Sequence, residues 1–152
     1  MGICSNIQAP VFNNTFRAHV VRYIPDTQEL LLAIEFKMEK GWYIRDHSDS
    51  AIGTPLNIRS VGAAVQKVFY PESVEEIEML ADQEIKYGGF YAHNYIAVLL
   101  TKPKNQFLIS VVGGMCSDIC IPVKCNISLH LDTSKYFVDE GILYKITGIM
   151  NQ

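Results

Sequence analysis

Residues 107–122 read FLISVVGGMCSDICIP, an apolar run that leads directly into two cysteines and a proline. The first part of the run has the β-branched and aromatic composition of a strand. Cys116 and Cys120 are four positions apart, which on a straight strand is about 13 Å. A disulfide needs Cα atoms about 4.4–6.8 Å apart. The two cysteines can therefore bond each other only if the three residues between them turn the chain.

Those three residues, and the proline that follows, favour a turn. Ser117 and Asp118 have side chains that hydrogen-bond nearby backbone groups, and Pro122 fixes its own φ and lacks an N–H donor. The pattern predicts a strand that ends near Gly113-Gly114, a turn that carries the cysteines, and a new strand over residues 124–131. The carboxylate of Asp118 would raise the pKa of a neighbouring thiol by repelling the thiolate.

Closely spaced cysteines can form a structural disulfide, cycle between dithiol and disulfide, or bind a metal. A ring of about five residues contributes only about 2 kcal/mol through chain entropy, so an exchangeable bond is favoured over a stabilising one. One alternative is a non-catalytic binding sandwich with a structural disulfide. The other is a soft-metal module for copper or zinc, with ligands from Cys116, Cys120, Cys125 and Met115. Cys125 lies on the apolar face of its strand, where a thiol is expected to be inert.

Length and charge narrow the class of protein. The chain has 152 residues, a length that fits an extension over residues 1–14 and a single domain over residues 15–152. Its net charge is −3. Lys and Arg do not cluster, so nucleic acid is not an expected partner. The absence of a long apolar stretch predicts no direct membrane insertion. No leader is recognisable, so an exported chain would be a processed product or part of a larger membrane protein.

Short alternating segments dominate the chain. Residues 15–24 and 29–38 predict a hairpin, and further strand patterns follow at residues 56–61, 65–70, 94–101 and 107–112. Many short strands with frequent turns predict an all-β antiparallel sandwich. Residues 72–83 are an exception, because apolar residues there recur at helical spacing and predict a short helix or an ordered loop. Residues 134–149 are weakly patterned, and no element is assigned to them.

With these elements placed, the chain resembles a known family over residues 15–131. It is similar to the periplasmic amino-terminal domain of the thiol:disulfide interchange protein DsbD and its relatives. The most specific landmark is the Cys-x-x-x-Cys-aliphatic-Pro motif at residues 116–122. Weaker landmarks occur in the same order as in the family: Gly41-Trp42-Tyr43, Asp49-Ser50, Gly53-Thr54-Pro55, Phe69-Tyr70-Pro71 and Tyr87-Gly88-Gly89.

The resemblance implies an immunoglobulin-like β-sandwich that relays electrons in the bacterial periplasm. Cys116 and Cys120 would accept electrons from a thioredoxin-like or membrane redox protein. They would pass them to periplasmic disulfide proteins, in the kind of electron transfer that also serves cytochrome c biogenesis. The resemblance implies neither a cofactor nor a metal.

The resemblance and the residue types also predict what surrounds the pair. Trp42 and Tyr43 would line the site, with Asp118 and Pro122 beside the cysteines. Tyr87-Gly88-Gly89 would form a mobile aromatic loop over the disulfide, because glycine permits backbone angles that other residues resist. The alternative is that these aromatic residues only cover the end of the sandwich.

Overall fold

The computed structural model describes residues 2–3, 15–48, 54–91 and 93–151. Within them the chain forms twelve strands and one helix, in two antiparallel sheets. The elements are β1 (Gly2–Ile3), β2 (Thr15–Ile24), β3 (Glu29–Lys37), β4 (Tyr43–Arg45), β5 (Asn57–Val61), β6 (Ala64–Phe69), β7 (Val74–Leu80), β8 (Gln83–Tyr91), β9 (His93–Thr101), β10 (Gln106–Cys116), β11 (Cys120–His130), β12 (Phe137–Val138) and α1 (Glu140–Met150).

The first sheet has the strand order β1-β2-β3-β9-β6, and β12 also pairs with β2. The predicted hairpin is confirmed as β2 and β3, with Phe16 opposite Phe36. Its turn ends at Gln28, which adopts a positive φ of 56°. Gly2–Ile3, inside the predicted extension, pair with β2. Residues 4–14 lie outside the described part, so the division at residue 14 stays a prediction.

The second sheet has the order β11-β10-β4-β8-β7, and β5 also pairs with β10. Its longest pairing is the β10–β11 hairpin, which runs from Gln106 opposite His130 to Cys116 opposite Cys120. Pro122 lies in β11, which is an edge strand of this order, so its missing N–H breaks no ladder hydrogen bond toward a further strand.

The core lies between the two sheets. Alternate residues of each strand point inward, as in β3, where Leu30, Leu32, Ile34 and Phe36 are all fully buried. Opposing residues of the second sheet include Ile109, Val111 and Cys125. The fold is the all-β antiparallel sandwich that the sequence predicts.

Residues 72–83, predicted as a helix or an ordered loop, instead form β7 and the turn into β8. The apolar spacing was misleading because antiparallel pairing with β8 continues without a break from Val74 to Leu80. The turn uses Ala81 and Asp82 with φ values of 50° and 64°. Hairpin turns with two positive φ values usually contain Asn or Gly, and this one therefore gives little sequence signal.

Helix α1 occupies part of the tail to which no element was assigned. Asp139 caps its N-terminus by accepting a hydrogen bond from the Ile142 N–H at 3.2 Å. Ile146 is fully buried in a second apolar cluster against the outer face of the first sheet, where it meets Val21, Leu31 and Ala97. In the described residues, no helix is long and apolar enough to cross a membrane.

Candidate functional site

The cysteine pair lies at the end of the β10–β11 hairpin. Cys116 and Cys120 are directly opposite each other and form a disulfide with Cα atoms 4.1 Å apart. The Ser117 N–H donates to the Ile119 carbonyl at 2.9 Å, which closes the three-residue turn. The predicted turn is therefore present, and it is short enough to bring the two sulfurs together.

The strands extend further toward the turn than the sequence predicts. Gly113-Gly114 lies inside β10 rather than at its end, and β11 begins at Cys120 rather than at residue 124. The glycines are needed for close approach. A Cβ on Gly113 would be 3.3 Å from the Leu56 side chain, and one on Gly114 would be 3.2 Å from the Thr54 backbone nitrogen. Residues 54–56 thus run against β10 between its pairings with β4 and β5.

The two cysteines differ in exposure. Cys116 is 0% exposed, whereas Cys120 is half-buried. The turn beyond them is open to solvent, with Ile119 67% exposed and Ser117 and Asp118 also exposed. Within the described part of the chain, Cys120 is therefore the cysteine of the pair that a dissolved thiol can approach.

Tyr43 is the nearest aromatic neighbour across the sheet. It is directly opposite Cys116 in the pairing of β4 with β10 and is almost fully buried. Its ring lies against Gly89 of β8, where any Cβ would overlap it. Trp42 points elsewhere, because it packs partly buried against the core between the sheets. The structure thus places Tyr43, and not the Trp42 side chain, on the face that carries the disulfide.

The predicted loop at Tyr87-Gly88-Gly89 is wrong as secondary structure, because these residues belong to strand β8. Gly89 lies against the Tyr43 ring, where a larger residue would overlap it. This glycine therefore serves close packing, whereas the sequence predicts a hinge. Tyr91 is level with Cys116, since both are opposite Tyr43. The Tyr87 side chain is outside the described part of the structure, and shielding by Tyr87 and Gly88 stays a prediction.

A buried charged pair next to Tyr43 was missed by sequence reasoning. Arg45 is fully buried, and its Nη1 donates to the Asp46 carbonyl at 2.6 Å and to Asp46 Oδ1 at 3.2 Å. Burial raises the pKa of Asp46, but hydrogen bonds from Ser48 and Ser73 and the charge of Arg45 outweigh it and lower the pKa. A strand of only three residues is too short for its sequence pattern to predict that its arginine is buried.

The described residues that follow β4 contact those that precede β5. The Leu56 N–H donates to the Asp46 carbonyl at 3.0 Å. The His47 ring stacks on Tyr70 with centroids 3.8 Å apart. Residues 49–53, which include the predicted Asp49-Ser50 and Gly53 landmarks, lie outside the described residues. Thr54 at the returning end covers Gly114, two positions from Cys116.

The soft-metal alternative does not match the geometry. Met115 and Cys125 face the core between the sheets, whereas Cys116 and Cys120 lie on the opposite face and are bonded to each other. Cys125 is fully buried on the core face, as the sequence predicts, and it is itself disulfide-bonded, a pairing that the sequence leaves open. Among the described residues, no three His, Cys, Asp or Glu side chains are arranged to hold a metal ion.

Comparisons with known proteins identify a structural relative. No protein-family model matches the sequence, and no curated protein matches it. The fold is similar to the crystal structure of the N-terminal periplasmic domain of ScsB from Proteus mirabilis, with a TM-score of 0.68 and 16% sequence identity. The match covers 93% of this chain and 57% of that one. This chain therefore has the fold of that periplasmic domain and spans little more than half of its solved length.

Proposed function

We propose that this domain performs thiol–disulfide interchange through Cys116 and Cys120 in the bacterial periplasm. The observation that carries the proposal is the unequal access to one disulfide, in which Cys120 is half-buried and Cys116 is fully buried. A bond that only stabilised the fold would gain nothing from reaching the surface at one sulfur. A bond that exchanges needs one sulfur within reach of a thiolate.

The difference in exposure supports a different role for each cysteine. A thiolate of the partner attacks Sγ of Cys120 and forms a mixed disulfide, and Cys116 leaves as a thiolate and takes up a proton. The partner's second thiolate then attacks its own sulfur in the mixed disulfide and releases Cys120, which is protonated in turn. The partner dithiol is oxidised to a disulfide, and two electrons and two protons arrive on Cys116 and Cys120.

The reverse sequence passes the electrons on. The Cys120 thiolate attacks a disulfide of the recipient and forms a mixed disulfide, and one recipient sulfur leaves as a thiolate. The Cys116 thiolate then attacks Sγ of Cys120, which releases the second recipient sulfur and re-forms the Cys116–Cys120 bond. As the sequence resemblance implies, the donor would be a thioredoxin-like or membrane redox protein. The recipients would be periplasmic disulfide proteins, including those of cytochrome c biogenesis. The likeness to a periplasmic domain supports this location.

Tyr43 and the 54–56 segment would protect the buried sulfur. Because Cys116 has no solvent access, small thiols cannot attack it, and exchange is limited to one sulfur and one direction of approach. After reduction, the buried Cys116 thiol is held beside Cys120 by the hairpin register. The geometry therefore favours rapid resolution of a mixed disulfide over its accumulation.

Single-cysteine variants test the assignment. Cys116→Ala leaves Cys120 as the only thiol of the pair, and Cys120→Ala leaves Cys116. Alanine is chosen because a buried serine hydroxyl would need a partner. Without reductant, Ellman's reagent should react at least about tenfold faster with the Cys116→Ala protein, because exchange depends on access to the sulfur. Equal rates, or faster reaction of Cys116, would contradict the proposal, and circular dichroism would check that both variants fold.

The structural-disulfide alternative is tested with the intact pair. Under mild reduction by dithiothreitol, followed by alkylation and mass mapping, label should appear on Cys116 and Cys120 before Cys125. If the Cys116–Cys120 bond resists reduction until the protein unfolds, the bond is structural and the exchange function is excluded.

A further inference from the structure

Ile119 is an exposed aliphatic side chain between the two cysteines, and nothing in the turn requires it to be apolar. The turn is closed by backbone atoms, from the Ser117 N–H to the Ile119 carbonyl. The side chain is 67% exposed and adds little to the core. Its neighbours Ser117 and Asp118 are polar and exposed, as is usual for a turn.

Ile119 directly precedes Cys120, so a protein that reaches Cys120 also comes close to Ile119. Tyr43 lies on the other side of Cys116, and Thr54 covers Gly114 below it. Among the described residues, the exposed positions beside Cys120 are the turn itself and Pro122 of the edge strand β11. A folded partner that brings a thiolate to Sγ of Cys120 would therefore come close to Ile119 and Pro122.

We propose that Ile119 is the apolar anchor by which a protein dithiol docks on this domain, with Pro122 as the second contact. The partner is a folded protein whose nucleophilic cysteine is set among apolar side chains. The inference rests on the proposed exchange function. It adds the contact by which the domain would favour a protein donor over a small thiol. Pro122 has no N–H to offer, so recognition here depends on side-chain contact rather than on addition of a strand.

The physical consequence is a selective loss of rate. Burying an exposed isoleucine side chain against a partner stabilises the complex enough to change its equilibrium constant about tenfold or more. Replacing Ile119 by serine should therefore reduce the second-order rate constant for reduction by a protein dithiol about tenfold or more. A small thiol makes no such contact, and its rate should change less than about twofold, because access to Cys120 is unchanged.

The experiment compares two reductants on the full chain. Reduced thioredoxin and dithiothreitol are each reacted with the oxidised wild type, Ile119→Ser, Ile119→Leu and Val61→Ser, and the loss of the Cys116–Cys120 bond is followed by quenched alkylation. Val61 is a matched control, because it is 70% exposed and pairs with Leu108. That position is about 26 Å along β10 from Cys116.

The expected result is slow reduction by thioredoxin for Ile119→Ser alone, with Ile119→Leu and Val61→Ser close to the wild type. Equal thioredoxin rates for Ile119→Ser and the wild type would overturn the anchor and leave the exchange function intact. A parallel loss with both reductants would also overturn it, because Ile119 would then act on the turn. If thioredoxin reduces the wild type no faster than dithiothreitol does per thiol, the proposed function fails and the anchor fails with it.

Discussion

The two outer faces of the sandwich differ in how far they are covered. On the first sheet, helix α1 covers a second apolar cluster around Ile146. On the second sheet, at the end that carries the disulfide, Cys116 is fully buried but Cys120 and Ile119 are partly or largely exposed. The comparison indicates that the two faces serve different purposes. The first sheet buries additional apolar area under the helix, whereas the second leaves one cysteine of the disulfide partly exposed.

The same contrast appears in the electrostatics. On the first sheet, Glu35 is a hub for His19, His93 and Tyr95, whose side chains all hydrogen-bond its carboxylate. On the second, the charge of Arg45 is enclosed next to its neighbour Asp46. Neither cluster includes a cysteine. If the faces are independent, changes on the first should alter stability without altering thiol chemistry.

Truncation of Ile146 should have the largest effect on stability. Removing a fully buried isoleucine side chain costs about 2–5 kcal/mol through lost burial and a residual cavity, so Ile146→Ala should lower the free energy of unfolding measured in urea by about 3 kcal/mol. Tyr144→Ala is the control on the same helix, since Tyr144 is 85% exposed. The rate at which dithiothreitol reduces the Cys116–Cys120 bond in the native protein should be equal in both variants. A faster rate in Ile146→Ala would show that the two faces are coupled.

Gly89→Ala should affect both stability and thiol chemistry, at the disulfide face. A Cβ at Gly89 would overlap the Tyr43 ring, so the ring must move, and overpacking of this kind costs about 1–3 kcal/mol. Because Tyr43 is opposite Cys116, its displacement should also expose that sulfur and speed reduction by glutathione several-fold. Gly148→Ala is the control, because nothing lies within 4 Å of its added Cβ. An unchanged glutathione rate in Gly89→Ala would mean that Tyr43 does not protect Cys116.

The sequence predicts the parts of this molecule in which local pattern and tertiary packing agree. The hairpin of residues 15–37 and the turn at Ser117 have both strand alternation and turn-forming residues, and both are found as predicted. The bond between Cys116 and Cys120, which the sequence allows only if Ser117 and its neighbours turn the chain, is also present. Strand β7 was misread because Val74, Ile77 and Leu80 recur every three residues, which is typical of a helix, and because its turn lacks glycine.

Other features depend on contacts that a single sequence does not display. Gly113-Gly114 resembles a strand end but serves close approach of residues 54–56. Helix α1 had an available signal, an Asp139 cap before apolar residues at 142, 143, 146 and 149, which was not recognised. Burial of Arg45 and Cys116 follows from how β4 meets β10, and no local pattern reports that pairing.

The Glu35 hub gives the smallest predicted effect, and its pH dependence has a definite sign. Burial raises the pKa of Glu35, but hydrogen bonds from His19 and His93 and their charges outweigh burial and lower the pKa from 4.5 to about 2. The folded protein therefore holds this proton less tightly than the unfolded chain. The stabilisation from Glu35 is complete above pH 4.5 and is lost as the pH falls toward about 2.

Glu35→Gln removes the charge and should lower the free energy of unfolding at pH 6 by about 1 kcal/mol. The deficit relative to the wild type should shrink between pH 5 and pH 3, because the wild type loses the same contribution there. Urea unfolding of both proteins across this range measures the difference, and Glu29→Gln, at an exposed position of the same strand, is the control. A deficit that stays constant down to pH 3 would mean that Glu35 acts through packing rather than charge. Reduction of the Cys116–Cys120 bond should be identical in all three proteins, because the carboxylate belongs to the face that carries no exchange chemistry.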